Sequence, residues 1–197
     1  MFPAFKEWHV IVEALGAGEQ ILILRKGGIA ENRGGFSVKT EKFWLFPTHF
    51  HEQLAKTKPA AEKWFSFVGG VSPRRNHSTL NEVTHVHLRY FAEIVRQSFL
   101  SDWSAVARLD PFHFWSEATI RERFNWAKPP GLHAFAVRVH RLKQPVVLGL
   151  TPEMSGCKSW IDLPIDFAAQ ASEPVLNDAV FAERLDALKL MRSGFSG

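Results

Sequence analysis

Two histidine pairs carry the clearest chemistry in the chain: His49-Phe50-His51 and His85-Val86-His87. On a β-strand, residues two apart face the same way, so each pair turns both imidazoles to one side, as in many metal sites. If the pairs faced each other, His49, His51, His85 and His87 would make a zinc or iron site. Glu52, next to His51, would add a carboxylate for acid–base work. No HExxH motif is present. The competing reading places one pair on an exposed strand face and the other in a turn. No cofactor is predicted outright, and a divalent metal is the one these residues could hold.

A second group is Arg25-Lys26-Gly27-Gly28, two cations beside backbone amides that glycine leaves accessible. An anion could sit there. The loop is neither GxxxxGK[ST] nor GxGxxG, and a charged β-turn explains the same residues. A third group interleaves aromatic and basic side chains: Trp44 and Phe46 with His49 and His51, His113 and Trp115 with Arg121, Arg123 and Trp126, and Lys158 with Trp160. Rings stack on bases while cations meet phosphates, the combination that single-stranded or flipped-base binding needs. Taken singly, each of these aromatics is a core residue and each histidine a structural one.

Catalysis has no local motif behind it. An acid followed by ExK on paired strands is missing, so a restriction-type nuclease core is not indicated. ILILRKGG looks like an early Nudix strand, but the REUXEEXGU helix is absent. Serine, cysteine and two-carboxylate schemes have no signature either. No catalytic residue is assigned, the candidates being His49, His51, Glu52 and His113. The ligand or anion set is Arg25, Lys26, Trp44, Thr48, Trp115, Arg123, Arg138, Lys158, Ser159 and Trp160. In it Arg25, Lys26 and Lys158 meet the anion, while Trp44, Trp115 and Trp160 wall the pocket.

These groups need elements to hold them. Ile21–Leu24 and Phe43–Phe46 read as strands that end in Gly- or Pro-shaped turns. Phe5–Leu15 fits helix or strand spacing, and the short Gly loop before Ile21 favours a β-hairpin. Pro59 opens a helix at its first turn. Glu82–Leu88 alternates like a strand, whereas Phe91, Ile94, Val95 and Phe99 have helical spacing. Asp102, Ser116 and Asn177 read as helix N-caps, the last for an amphipathic helix over Asp178–Met191. Leu132–Val139 and Pro145–Leu150 read as two further strands. Strands and helices interleave irregularly, which favours α+β over a doubly wound parallel sheet. The expected architecture is a mixed or mainly antiparallel, partly barrel-like sheet of PUA-like kind with flanking helices.

The chain has 197 residues, 46% hydrophobic and 13% aromatic, with 17 Phe and 7 Trp against one Tyr. That supports one domain over residues 1–197 with a largely aromatic core, and excludes a disordered chain. The net charge of +4 tilts weakly towards nucleic acid or another anionic partner. Cys157 is the single cysteine, so no intrachain disulfide forms. With no secretory leader and no apolar run long enough for a bilayer, the expectation is a cytoplasmic protein without a membrane partner.

ILILRKGGI, FWLFPTHFHEQ, PFHFW, GLHAFAVRVHRL and GCKSWIDL follow one another in this order. Together they resemble a bacterial and cyanobacterial family known as domain of unknown function 1802, over about Phe5 to Leu188. The resemblance implies a place beside Mrr-type restriction endonuclease domains, hence a part in restriction–modification or DNA defence and a restriction endonuclease as partner. It brings no activity and no site residues. The leading expectation is a module that binds DNA or RNA in a basic, aromatic cleft. The alternatives are a metal-dependent nuclease or phosphohydrolase with a His-rich site, and a non-catalytic partner-binding subunit.

Overall fold

The structure, a computed structural model, describes residues 1–26, 40–48, 53–67, 84–126, 128–156 and 158–188. The chain opens with strand β1 (Phe2–Trp8), which passes straight into helix α1 (His9–Gly16). The expected hairpin is therefore not formed. All eight residues of α1 are buried. A helix enclosed all round carries no polar face, so its sequence lacks the stripe that separates helix from strand. A turn through Gly18, at φ 71, then leads into strand β2 (Leu22–Lys26).

Strand β3 (Lys42–Thr48) follows, then a 3-10 helix opened by Pro59 (Pro59–Phe67), as expected. Strand β4 (His85–Leu100) is 16 residues long, and the helix read over Tyr90–Leu100 is strand. Its register shifts between Leu88 and Tyr90 and again between Ile94 and Arg96. Each shift breaks the two-residue alternation, and the displaced apolar positions mimic helical spacing. Helices α2 (Trp103–Ala107) and α3 (Glu117–Phe124) come next. Strand β5 (Leu132–Gly149) fuses the two strands expected there. Pro145 falls in the irregular stretch opposite the first shift, between the Tyr90–Arg141 and Leu88–Val146 pairs. A residue without an N–H is tolerated there. Strands β6 (Trp160–Leu163) and β7 (Ser172–Pro174) precede helix α4 (Asp178–Ala187).

The helix starts follow the sequence. Asp102, Ser116 and Asn177 each accept a hydrogen bond at the head of their helix, from the backbone N–H of Ser104, Thr119 and Val180. The seven strands form one curled, half-barrel sheet in the order β2-β5-β4-β3-β1-β6, with β7 added on β5. Among the described residues β1–β3 is parallel and the other pairings are antiparallel, so the expected α+β class with a mixed, mainly antiparallel sheet is what forms.

One apolar cluster packs α1 and the 100–124 helical region against the sheet, with Phe5, Phe43, Trp115 and Trp160 among its rings. A second gathers Trp44, Phe46, Phe91 and Leu163. Among the described residues no helix is long and apolar enough to cross a membrane.

Candidate functional site

β1 lies between β3 and β6, so Thr48 on one flank and Ser159 on the other meet the same strand. The Thr48 hydroxyl donates to the carbonyl of Glu7 at 3.0 Å, and the Lys6 N–H donates to the carbonyl of Ser159 at 2.9 Å. Gln53 in turn donates to the Thr48 carbonyl at 2.7 Å, fixing the end of β3. Thr48 and Ser159 thus converge on the KEW end of β1.

The curl of the sheet brings edge strand β2 back towards this end. Arg25 donates to the carbonyl of Lys6 at 2.8 Å, lies 4.6 Å from the Phe5 ring centroid, and comes within 3.9 Å of the Glu7 carboxylate. Glu7 is only 1% exposed. Its Oε1 accepts from the Trp8 N–H at 2.7 Å. Its Oε2, and the Nε of Arg25, are buried and have no hydrogen-bond partner among the described residues. Leaving such groups unpaired away from water is costly, so they mark a place where the fold is not serving stability alone.

A second guanidinium faces the same acid. Arg123, 9% exposed, donates to the carbonyl of Leu24 at 3.0 Å and lies between two indoles, 4.8 Å from the Trp8 ring and 4.9 Å from that of Trp115. Burial pushes its pKa down to about 10, with the Glu7 and Glu122 carboxylates working against the fall and the Arg25 charge adding to it. It stays a cation at neutral pH. His113 packs its ring 5.7 Å from Trp115. Burial holds its pKa down to about 4, with the Lys58 and Arg123 charges in support and Asp110 opposed, so it is neutral at pH 7. Lys26, at the end of β2, sits 3.4 Å over the ring of Trp126.

Arg25, Lys26, Thr48, His113, Trp115 and Arg123 are therefore brought together. Ser159 and Trp160 join them from the β6 side, Trp160 through ring contacts to Phe5 at 4.9 Å and Phe43 at 5.2 Å. Lys158 is exposed just before β6. Two members of the expected set lie elsewhere. Trp44 is fully enclosed in the second apolar cluster and donates to the Ile165 carbonyl at 2.9 Å. Arg138 ties down the start of α4, pairing with Asp178 and lying 5.0 Å over the Phe181 ring. His85 and His87 are exposed to either side of buried Val86, on the strand face expected of them. His49, His51 and Glu52 lie outside the described residues. Among the described residues no group of three or more His, Cys, Asp or Glu stands together as a metal site.

Glu7 and Trp8 are the members that the motif reading passed over. The signal was a charged pair, Lys6-Glu7, inside an otherwise apolar run, which on an exposed strand would mean nothing and here falls inside the curl.

The molecule is thus an α+β half-barrel with a basic, aromatic cluster at the seam where β2 curls back onto β1. The chain belongs to the family described as domain of unknown function (DUF1802), whose profile matches residues 4–187. No curated protein matches the sequence. Among solved structures the chain is similar to ASCH from Zymomonas mobilis, with 12% identity, a TM-score of 0.41 and 94% of each chain covered. A serine-to-alanine variant of the Zymomonas mobilis protein is similar at 13% identity and a TM-score of 0.42, again with 94% of each chain covered. Similarity of this degree leaves the cluster to be read from its own residues.

Proposed function

We propose that this domain binds nucleic acid at the seam between β2 and β1, where Arg25 and Arg123 gather beside Trp8 and Trp115 and Lys26 lies over Trp126. A role beside restriction–modification, which the family resemblance implies, is part of the proposal. The observation that carries it is a charge imbalance. Among the described residues two guanidinium groups share one buried carboxylate, with exposed Glu122 the other acid acting on Arg123, and the carboxylate's contact with Arg25 is 3.9 Å rather than a hydrogen bond. Arg123 has a carbonyl and two indole faces as its neighbours. Burying a cation without a matched anion is expensive, and replacing such a group with an apolar one commonly stabilises a protein. An arrangement that keeps both cations makes sense when a ligand supplies the missing negative charge.

Indole walls favour a ligand with flat rings as well as phosphates. Neutral His113 beneath Trp115 adds no further charge at pH 7. The test is binding of fluorescently labelled DNA and RNA over a series of salt concentrations. Arg25→Ala should weaken binding and flatten the log–log salt slope by about one unit, the share of a single neutralised phosphate. Absence of salt-sensitive binding to any DNA or RNA would remove this reading.

A further inference from the structure

Arg25 on β2 is opposite His133 on β5, and His133 is opposite Phe99 on β4. Directly opposed residues of antiparallel strands point to the same side, so the three form a row across the sheet, about 10 Å from end to end by strand spacing. The row starts at the buried Glu7–Arg25 contact and ends at the surface, where Phe99 is 48% exposed. The Phe99 ring is 5.0 Å from that of His133, and the His133 ring is stacked nearly parallel to Phe135 at 6.3 Å and 4°. Gly131 lets Phe99 lie against the chain, since a Cβ there would sit 2.3 Å from the Phe99 Cζ. Around the edge of β2, Trp126 is 55% exposed beneath the Lys26 ammonium.

We propose that the ligand is a single-stranded polynucleotide, and that Phe99 and Trp126 are stacking platforms for the nucleotides flanking the one held at Arg25 and Lys26, the partly open cations of the cluster. This rests on the nucleic-acid reading above. Large rings left open to water beside cations, with Glu7 as the acid facing Arg25, suit a partner that is flat and anionic at once. A duplex hides its base faces, and a lone nucleotide is too small to reach a ring two strands from Arg25. An unpaired strand offers both faces and charge along its length.

The experiment measures the affinity of the full chain for a fluorescein-labelled twelve-nucleotide dT strand, the matching RNA, the same strand in a duplex, and dTMP. Phe99→Ala and Trp126→Ala should each weaken single-strand binding about tenfold and leave dTMP binding unchanged, whereas Arg25→Ala weakens both. Phe99→Trp, which keeps a ring there, should retain affinity and show that the alanine effect is not misfolding. Equal binding of duplex and single strand, or an unaltered affinity in Phe99→Ala, overturns the stacking track and leaves the nucleic-acid reading standing. An acidic peptide competing as well as the dT strand would overturn the track in favour of a protein partner. Failure of every probe to bind removes the reading on which the track rests.

Discussion

His113 offers a measurement that tests the enclosure of the cluster without knowledge of its ligand. The imidazole is 4% exposed, its Nδ1 has no hydrogen-bond partner among the described residues, and burial holds its pKa down to about 4 from an ordinary 6.5. Between those values the unfolded chain takes up a proton that the folded chain refuses. Stability is therefore complete above about pH 6.5 and falls as pH drops towards 4, at about 1.4 kcal/mol per pH unit. From pH 6.5 to 5 the loss from this one group is about 2 kcal/mol, a large part of the 5–15 kcal/mol typical of a domain. His113→Phe keeps a buried ring beside Trp115 and removes the titration. Urea unfolding of both proteins at pH 7, 6 and 5 isolates the effect, because His133 and His140, also lowered by burial, remain in each and cancel. The stability of the wild-type chain relative to His113→Phe should fall by about 2 kcal/mol between pH 7 and pH 5. Parallel loss of stability in both would mean that the ring is open to water or already paired, and the account of an enclosed cluster would be wrong.

Two substitutions probe the packing around the site, both read by urea midpoint. Gly16→Ala places a Cβ 2.2 Å from the Tyr90 Cζ at the end of a helix enclosed on all sides, so neither partner can step aside, and it should cost at least about 1–3 kcal/mol. Trp115 is fully buried and its Nε1 has no partner among the described residues. Trp115→Ala should cost about 3–5 kcal/mol for the cavity, and Trp115→Phe markedly less, because it sheds an unpaired N–H while keeping a ring against Arg123.

The parts of the fold set by neighbouring residues were legible. Asp102, Ser116 and Asn177 cap helices because a side-chain oxygen needs only the next turn to bond to. Ile21–Leu24 and Phe43–Phe46 are strands in either register of reading. What the sequence could not carry was pairing at a distance. Phe91, Ile94, Val95 and Phe99 imitate a helix because bulges at Leu88/Tyr90 and Ile94/Arg96 shift the alternation, and bulges depend on β5, some forty residues on. His9–Gly16 hid its helical nature because the sheet and the 3-10 helix over Pro59–Phe67 together bury all eight of its residues. For the site, the cations and indoles were visible as residue types, and Arg25, Arg123 and Trp115 do meet. Trp44 and Arg138 look the same on paper, yet the fold spends them on the Ile165 carbonyl and the start of α4. Glu7 escaped because an acid on a strand ordinarily faces water.

The closure of the half-barrel gives the physical reason for attending to Glu7. Strands β2 and β1 stand with β5, β4 and β3 between them in the sheet, and among the described residues they are joined by side chains rather than by a backbone ladder. A seam needed only for stability would be closed more cheaply by apolar packing, since Phe5, Phe43 and Trp160 already supply it a few ångströms away. Instead the seam holds two guanidinium groups and one carboxylate, with an oxygen and a nitrogen left unpaired among the described residues. Among the described residues its buried charges do not balance, and its geometry does not let the Glu7–Arg25 pair form a full hydrogen-bonded bridge. A phosphate would supply the missing charge through Arg25, the partly open member of the set, and a flat base would find the exposed Phe99 and Trp126 rings beside it. A nucleotide combines those two properties, and the reading stands or falls with whether these three side chains respond to one.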